Sequence, residues 1–169
     1  MVIDREAANV FIDGYSRLLQ SVYLGQGGES GIKKLEALAE GRKAIAADVS
    51  VISAAVAELQ LAGNPIPSAI LDAVATLRLS QWVYLRDTTR YSVFLDINGD
   101  EAYAVQGLIQ PIRSIFGGSG ISFVAGLIEY DNQIVCDGIV ESPVWLGPNY
   151  KKQYATLLAK AKNRGAFYV

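Results

Sequence analysis

The hydrophobic period of this 169-residue chain changes once, near residue 80, and that change limits its folds more than any motif in it. Up to about residue 79 the apolar residues recur at helical spacing, and from Gln81 onward they recur at every second position. A stripe written with one period cannot be buried by the other conformation, so a helical front half is joined to a sheet. The expected class is α+β: a helical N-terminal half packed with a mainly antiparallel sheet of about five strands, plus a C-terminal helix. One domain is expected over 1–169, with 1–79 as the helical layer and 80–169 as the sheet with its closing helix. Hydrophobic residues make up 51% of the chain and charged ones 19%, enough apolar material for one sizeable core. With a mean hydropathy of +0.23, the surplus is more easily hidden in an oligomer than in a monomer.

Within the helical half, Asp4 is placed to cap a helix running to about Leu24, with Phe11, Tyr15, Leu18 and Val22 on one stripe. "GQGGESG" then breaks it. A second, long helix is expected from about Ile32 to Gln60. Its apolar residues, from Leu35 and Leu38 through Ile45, Val49, Ile52 and Val56 to Leu59, alternate spacings of three and four. That is a coiled-coil seam with one misfit, Arg42. It predicts a homodimer through the helical half; the alternative is that the neighbouring helices cover it within one chain. "AGNPIP" ends this helix, and a short third one is expected from about Ser68 to Leu77.

Strands are expected at about 81–86, 91–96, 101–107, 121–130 and 133–140. Asn98-Gly99 is the strongest turn signal, for a type I′ hairpin. Asp131-Asn132 is a weaker one. "QPIRSIFGG" reads as a helical turn crossing the sheet, and "GPNYKKQYATLLAKAKNRG" as a final helix, with an edge strand at Phe167 to Val169. Strand order is left open.

No histidine is present. That removes Ser-His-Asp and Cys-His nucleophiles, histidine bases and almost every zinc site. Cys136, alone on an apolar strand, reads as a small buried hydrophobe. "DINGDE" (Asp96 to Glu101) begins like a calcium loop, but Glu101 stands where glycine is needed and Gly107 where the bidentate glutamate is needed. The glycine-rich stretches lack a Gly-Lys-Ser/Thr ending and read as linkers. No cofactor or metal is therefore expected. The net charge is −2, with no field to attract nucleic acid or an anionic membrane. The early acids of "MVIDREAANV" and the lack of a long apolar run point to a cytoplasmic protein without a membrane span.

Two places invite a functional reading. Asp137, in "QIVCDGIV", puts a carboxylate into an apolar, β-branched run. A two-residue turn at Asp131-Asn132 sets it opposite Gly126, which leaves room for its head. It is either a turn residue where the strand ends at Cys136, or a desolvated acid working with Arg86 or Glu129 nearby. The second place is the start of the last helix. Lys151 and Lys152 load the positive end of the helix dipole, Asn149 and Pro148 sit where the chain enters the helix, and Trp145 offers an apolar wall. Together they suggest a site for a small anionic ligand. A basic C-terminal helix by itself is thin support for nucleic acid.

"YLRDTTRYSVFLD", "AYAVQGLIQPI" and "IVCDGIV", in that order over roughly 80–141, resemble the β region of some uncharacterised bacterial proteins. The resemblance implies an α+β fold and carries no activity. The residues favour a non-catalytic, oligomeric binding module for a protein partner or small ligand. The alternatives are a small enzyme using carboxylate acid/base chemistry at Asp137 and a weak nucleic-acid binder.

Overall fold

Asp4 starts the first helix as its charge and size suggest. In the computed structural model, which describes residues 1–169, its carboxylate accepts from the amides of Glu6 and Ala7 at 2.9 and 3.0 Å. Helix α1 (Arg5–Gly25) buries the expected stripe of Phe11, Tyr15, Leu18 and Val22. The long second helix is in fact two, α2 (Lys34–Ala47) and α3 (Val51–Leu61). The break falls at Asp48, which is extended (φ −151) and whose carboxylate accepts from the Ser50 amide at 2.9 Å. A short polar side chain offers the backbone a partner outside the helix, and the chain turns there. The turn lets both halves lie against α1. Leu38 and Ile45 are buried, and Ile52, Val56 and Leu59 pack against the same core. The seam is thus largely covered within the chain, while Leu35 and Val49 stay exposed. Helix α4 (Ser68–Val74) adds Ile70 and Val74 to this core.

Seven strands follow: β1 (Arg78–Asp87), β2 (Ser92–Asp96), β3 (Ala102–Gln106), β4 (Ile121–Tyr130), β5 (Gln133–Cys136), β6 (Glu141–Trp145) and β7 (Phe167–Tyr168). Helix α5 (Ile112–Phe116) lies between β3 and β4, and α6 (Tyr150–Asn163) between β6 and β7. The helical half, the sheet and the C-terminal helix are those of an α+β fold, and the strand order, left open by the residues, is now given. Strand β1 pairs antiparallel with β2 and also with β4, β2 with β3, and β4 with β5, while β3 and β5 run parallel. The pairings close a ring. Closure is possible because β1 and β4 are each 10 residues long, so β1 reaches both neighbours. Trp82, Tyr84, Phe94, Tyr103, Phe123 and Leu127 fill the interior, and Ile112 of α5 packs against them.

The β3–β5 seam is short, Val105↔Ile134 and Gln106↔Val135, and β7 pairs with the rest of that edge of β3. The result is a five-stranded barrel closed by one short parallel seam. Its outside is covered on two sides. Tyr154, Leu158 and Ala161 of α6 pack on Val83 and Leu85 of β1 and Val93 and Leu95 of β2. The helical layer packs on Ile128, Val135 and Ile139.

Two local expectations change. Asp131-Asn132 does make the two-residue hairpin with positive φ at both positions (53 and 55). At Asn98-Gly99 only Gly99 is left-handed (φ 77). There the Asp96 carboxylate accepts from the amides of Asn98 and Glu101 at 3.1 and 2.7 Å, which holds a wider loop. The expected strand 133–140 also stops at Cys136 and resumes as β6 along the same edge of β4. Asp137 donates its amide to Gly126, and Glu141 pairs with Val124, so the chain bulges outward between them. Gly138, at φ 77, makes that jog.

Candidate functional site

The bulge delivers Asp137 to the outside of the barrel, facing the helical layer. There the two misfits of the sequence meet: Arg42 from α2 and Asp137 form an ion pair whose side chains are both 0% exposed. Arg42 Nη1 donates to Asp137 Oδ1 and Oδ2 at 3.2 and 2.9 Å, and also to the Ile139 carbonyl. Its Nη2 donates to Glu141 Oε2 at 2.6 Å, and Lys43 holds the other oxygen of Glu141 at 2.8 Å. The Tyr15 hydroxyl and the Ile139 amide also donate to Asp137, at 3.4 and 3.1 Å. Gly126 is required opposite, because a Cβ there would meet the Asp137 carboxylate.

Burial pushes the carboxyl of Asp137 above the ordinary carboxylate value, and the Arg42 guanidinium opposes that rise. Burial lowers Arg42 in turn, but attraction to Asp137 leaves it above its usual value. The hydrogen-bond pattern selects the ionised pair: Arg42 and the Ile139 amide can only donate, so a carboxyl proton would have little to bond to. Within this cluster, Arg42 Nε is the buried side-chain atom left without a partner.

A cavity of about 300 Å3 reaches this cluster and is lined by Tyr15, Leu38, Leu108, Cys136, Asp137 and Ile139 among others. That is the lower end of ligand-site sizes. Neither Arg86 nor Glu129 is among Asp137's partners, so the acid/base grouping suggested by the sequence is not assembled. Glu129 borders a separate hollow with Thr76 and Asp131. Cys136 is buried, and burial, seconded by the charge of Asp137, pushes its thiol up to about 12. A thiol reagent in mildly alkaline buffer should therefore leave the native protein unlabelled and label it fully in urea. Rapid labelling of the native state would show that the barrel interior opens.

A second site lies between α6 and the barrel. A cleft of about 510 Å3 is bordered by Arg86 of β1, Lys151 and Lys162 of α6, and Ser119, with no acidic side chain in its lining. None of the three cations makes an ion pair; Lys162 only places its ammonium 4.8 Å from the centre of the Phe167 ring. Leu85, Ala155, Leu158 and Ala159 form its apolar floor. The bulge between Tyr84 and Arg86 leaves Leu85 as the extra residue, while Arg86 stays paired with Val93.

The grouping expected at the helix start is divided by the helix itself. Lys151 and Lys152 are neighbours in sequence, so they leave α6 in directions about 100° apart. Lys151 joins Arg86 in the cleft. Lys152 borders another hollow with Asn149, whose side chain makes no capping bond. Trp145, 60% exposed, stands on β6 with its ring edge toward Gly118 and lines neither place. Lys162 and Ser119 were not singled out by sequence. Lys162 was legible only as one of several basic residues, and Ser119 carried no signal.

The fold and this cleft define a barrel flanked by helices, with a cation-lined groove on one side. No protein-family model matches the chain, and neither a curated protein nor a solved structure matches it. No helix is long and apolar enough to cross a membrane.

Proposed function

We propose that the protein is a non-catalytic binding module whose ligand is a small anion held in the cleft between α6 and the barrel. One observation carries this reading: Arg86, Lys151 and Lys162 border a single cleft without an acidic partner, in a chain of net charge −2. An anion entering the cleft meets cations that no acidic side chain already neutralises. The Asp137 region supports an enzyme less well. A cavity touches it, but its carboxylate is committed to Arg42, and freeing it for acid/base work would leave a buried guanidinium half-paired. Nucleic acid is a weaker reading too, because the outer face of β1 and β2 is packed under α6. A homodimer draws what support it has from Leu35 and Val49, the seam positions left exposed.

Titration calorimetry with phosphate, sulfate and simple carboxylates tests the reading. Binding should weaken about tenfold in Arg86→Ala/Lys151→Ala, since each charged hydrogen bond is worth about 1.5–3 kcal/mol at most and these are partly exposed. All three residues are exposed, so the variants should melt like wild type. Unchanged binding in the double variant would remove the site.

A further inference from the structure

We infer that the ligand of this cleft is elongated, with an anionic group at each end and an apolar stem between them; the inference rests on the anion reading above. The cleft is a trough set by helix geometry. Lys151, Ala155, Leu158, Ala159 and Lys162 all border it, and their spacing puts them on one face of α6. At a rise of about 1.5 Å per residue, the Cα atoms of Lys151 and Lys162 stand roughly 16 Å apart along the axis. The two alanines between them are too short to fill the groove, and Leu85 of β1 closes its floor. Each end holds an ammonium. Ser119 also borders the cleft, its hydroxyl 3.5 Å from the phenol oxygen of Tyr150, the residue before Lys151. Lys162 rests near the Phe167 ring.

This charge pattern discriminates between ligands. A compact anion such as phosphate would satisfy one end and leave the apolar floor wet. A chain of closely spaced phosphates would lay charge over Leu85, Ala155 and Ala159, with Arg86 the one further cation to balance it. A linear dianion with an aliphatic middle matches both the ends and the floor, and the flexible lysine arms allow some range of length.

The test is calorimetry of the full chain with succinate, suberate, sebacate and hexadecanedioate, set beside decanoate, which has one carboxylate on the same stem as sebacate. An affinity optimum at intermediate length is expected, with sebacate at least roughly fivefold tighter than decanoate, the gain of one more ion pair at a partly covered site. Lys162→Gln should abolish that gain and leave decanoate within about twofold of wild type. Equal affinities for sebacate and decanoate, or equal weakening of both by Lys162→Gln, would overturn the two-ended ligand while Arg86-dependent binding kept the anion reading. If neither acid binds, and phosphate and sulfate are also silent, the anion reading falls with it.

Discussion

Arg42→Met is expected to destabilise the protein by about 3–5 kcal/mol, the range seen when one partner of a buried ion pair is removed. Methionine keeps much of the volume and takes away all five donors. Asp137 would then keep two weaker donors, the Tyr15 hydroxyl and the Ile139 amide, inside a site that excludes water. Glu141 is more exposed (26%) and keeps Lys43, so its loss is smaller. Urea denaturation of Arg42→Met, Asp137→Asn and the double variant measures the pair itself. The double variant should be clearly more stable than the sum of the single losses implies, because the residue left uncompensated in each single variant is gone. Additive losses would mean that Arg42 acts by packing alone. An Arg42→Met protein within about 1 kcal/mol of wild type would show that the barrel and helical layer do not depend on this contact.

Gly41→Ala should also destabilise, by about 2–3 kcal/mol, against the usual direction for this change in a helix. Alanine at a free helical position gains about 1 kcal/mol over glycine. At Gly41, however, α2 crosses α1 so closely that a Cβ would run into the backbone carbonyl of Leu19. No rotamer change can relieve a clash with backbone, so the helices must separate and the core around Leu18, Leu19 and Leu38 loosens. Gly25→Ala, at the end of α1 with open space around it, serves as the control and should be neutral or mildly stabilising. A higher melting temperature for Gly41→Ala would show that the helices can move apart at little cost. The two losses should partly overlap, since separating α2 from α1 also shifts Arg42, the next residue, away from Asp137.

Both partners of the buried pair were legible as exceptions before either was legible as a pair. Arg42 interrupts an apolar seam and Asp137 interrupts an apolar strand, and a charge in such a place needs compensation. Their association was not visible, because 95 residues separate them. The sequence pattern states which way each side chain faces; it does not state what lies across from it. The same limit explains the seam from Leu35 to Leu59. Its spacing specifies a face to be buried and would read alike if covered by α1 or by a second chain. Asp48, a weak helix former in mid-run, was the local sign that α2 and α3 fold back on their own neighbours.

What the residues determined alone is therefore what depends on near neighbours: the change of period near residue 80, the cap at Asp4, the hairpin at Asp131-Asn132 and the placing of α6. What only the tertiary structure decided is whatever depends on contacts far apart in the chain. The sheet closes into a barrel because β1 is long enough to hydrogen-bond β4 as well as β2, a choice among edges that no local pattern records. The expected anion group divided because a helix sends Lys151 and Lys152 to different sides, and packing α6 on β1 brought Lys151 to Arg86. Period and propensity are properties of a few adjacent residues, whereas pairing partners are selected by the free energy of burying whole faces together.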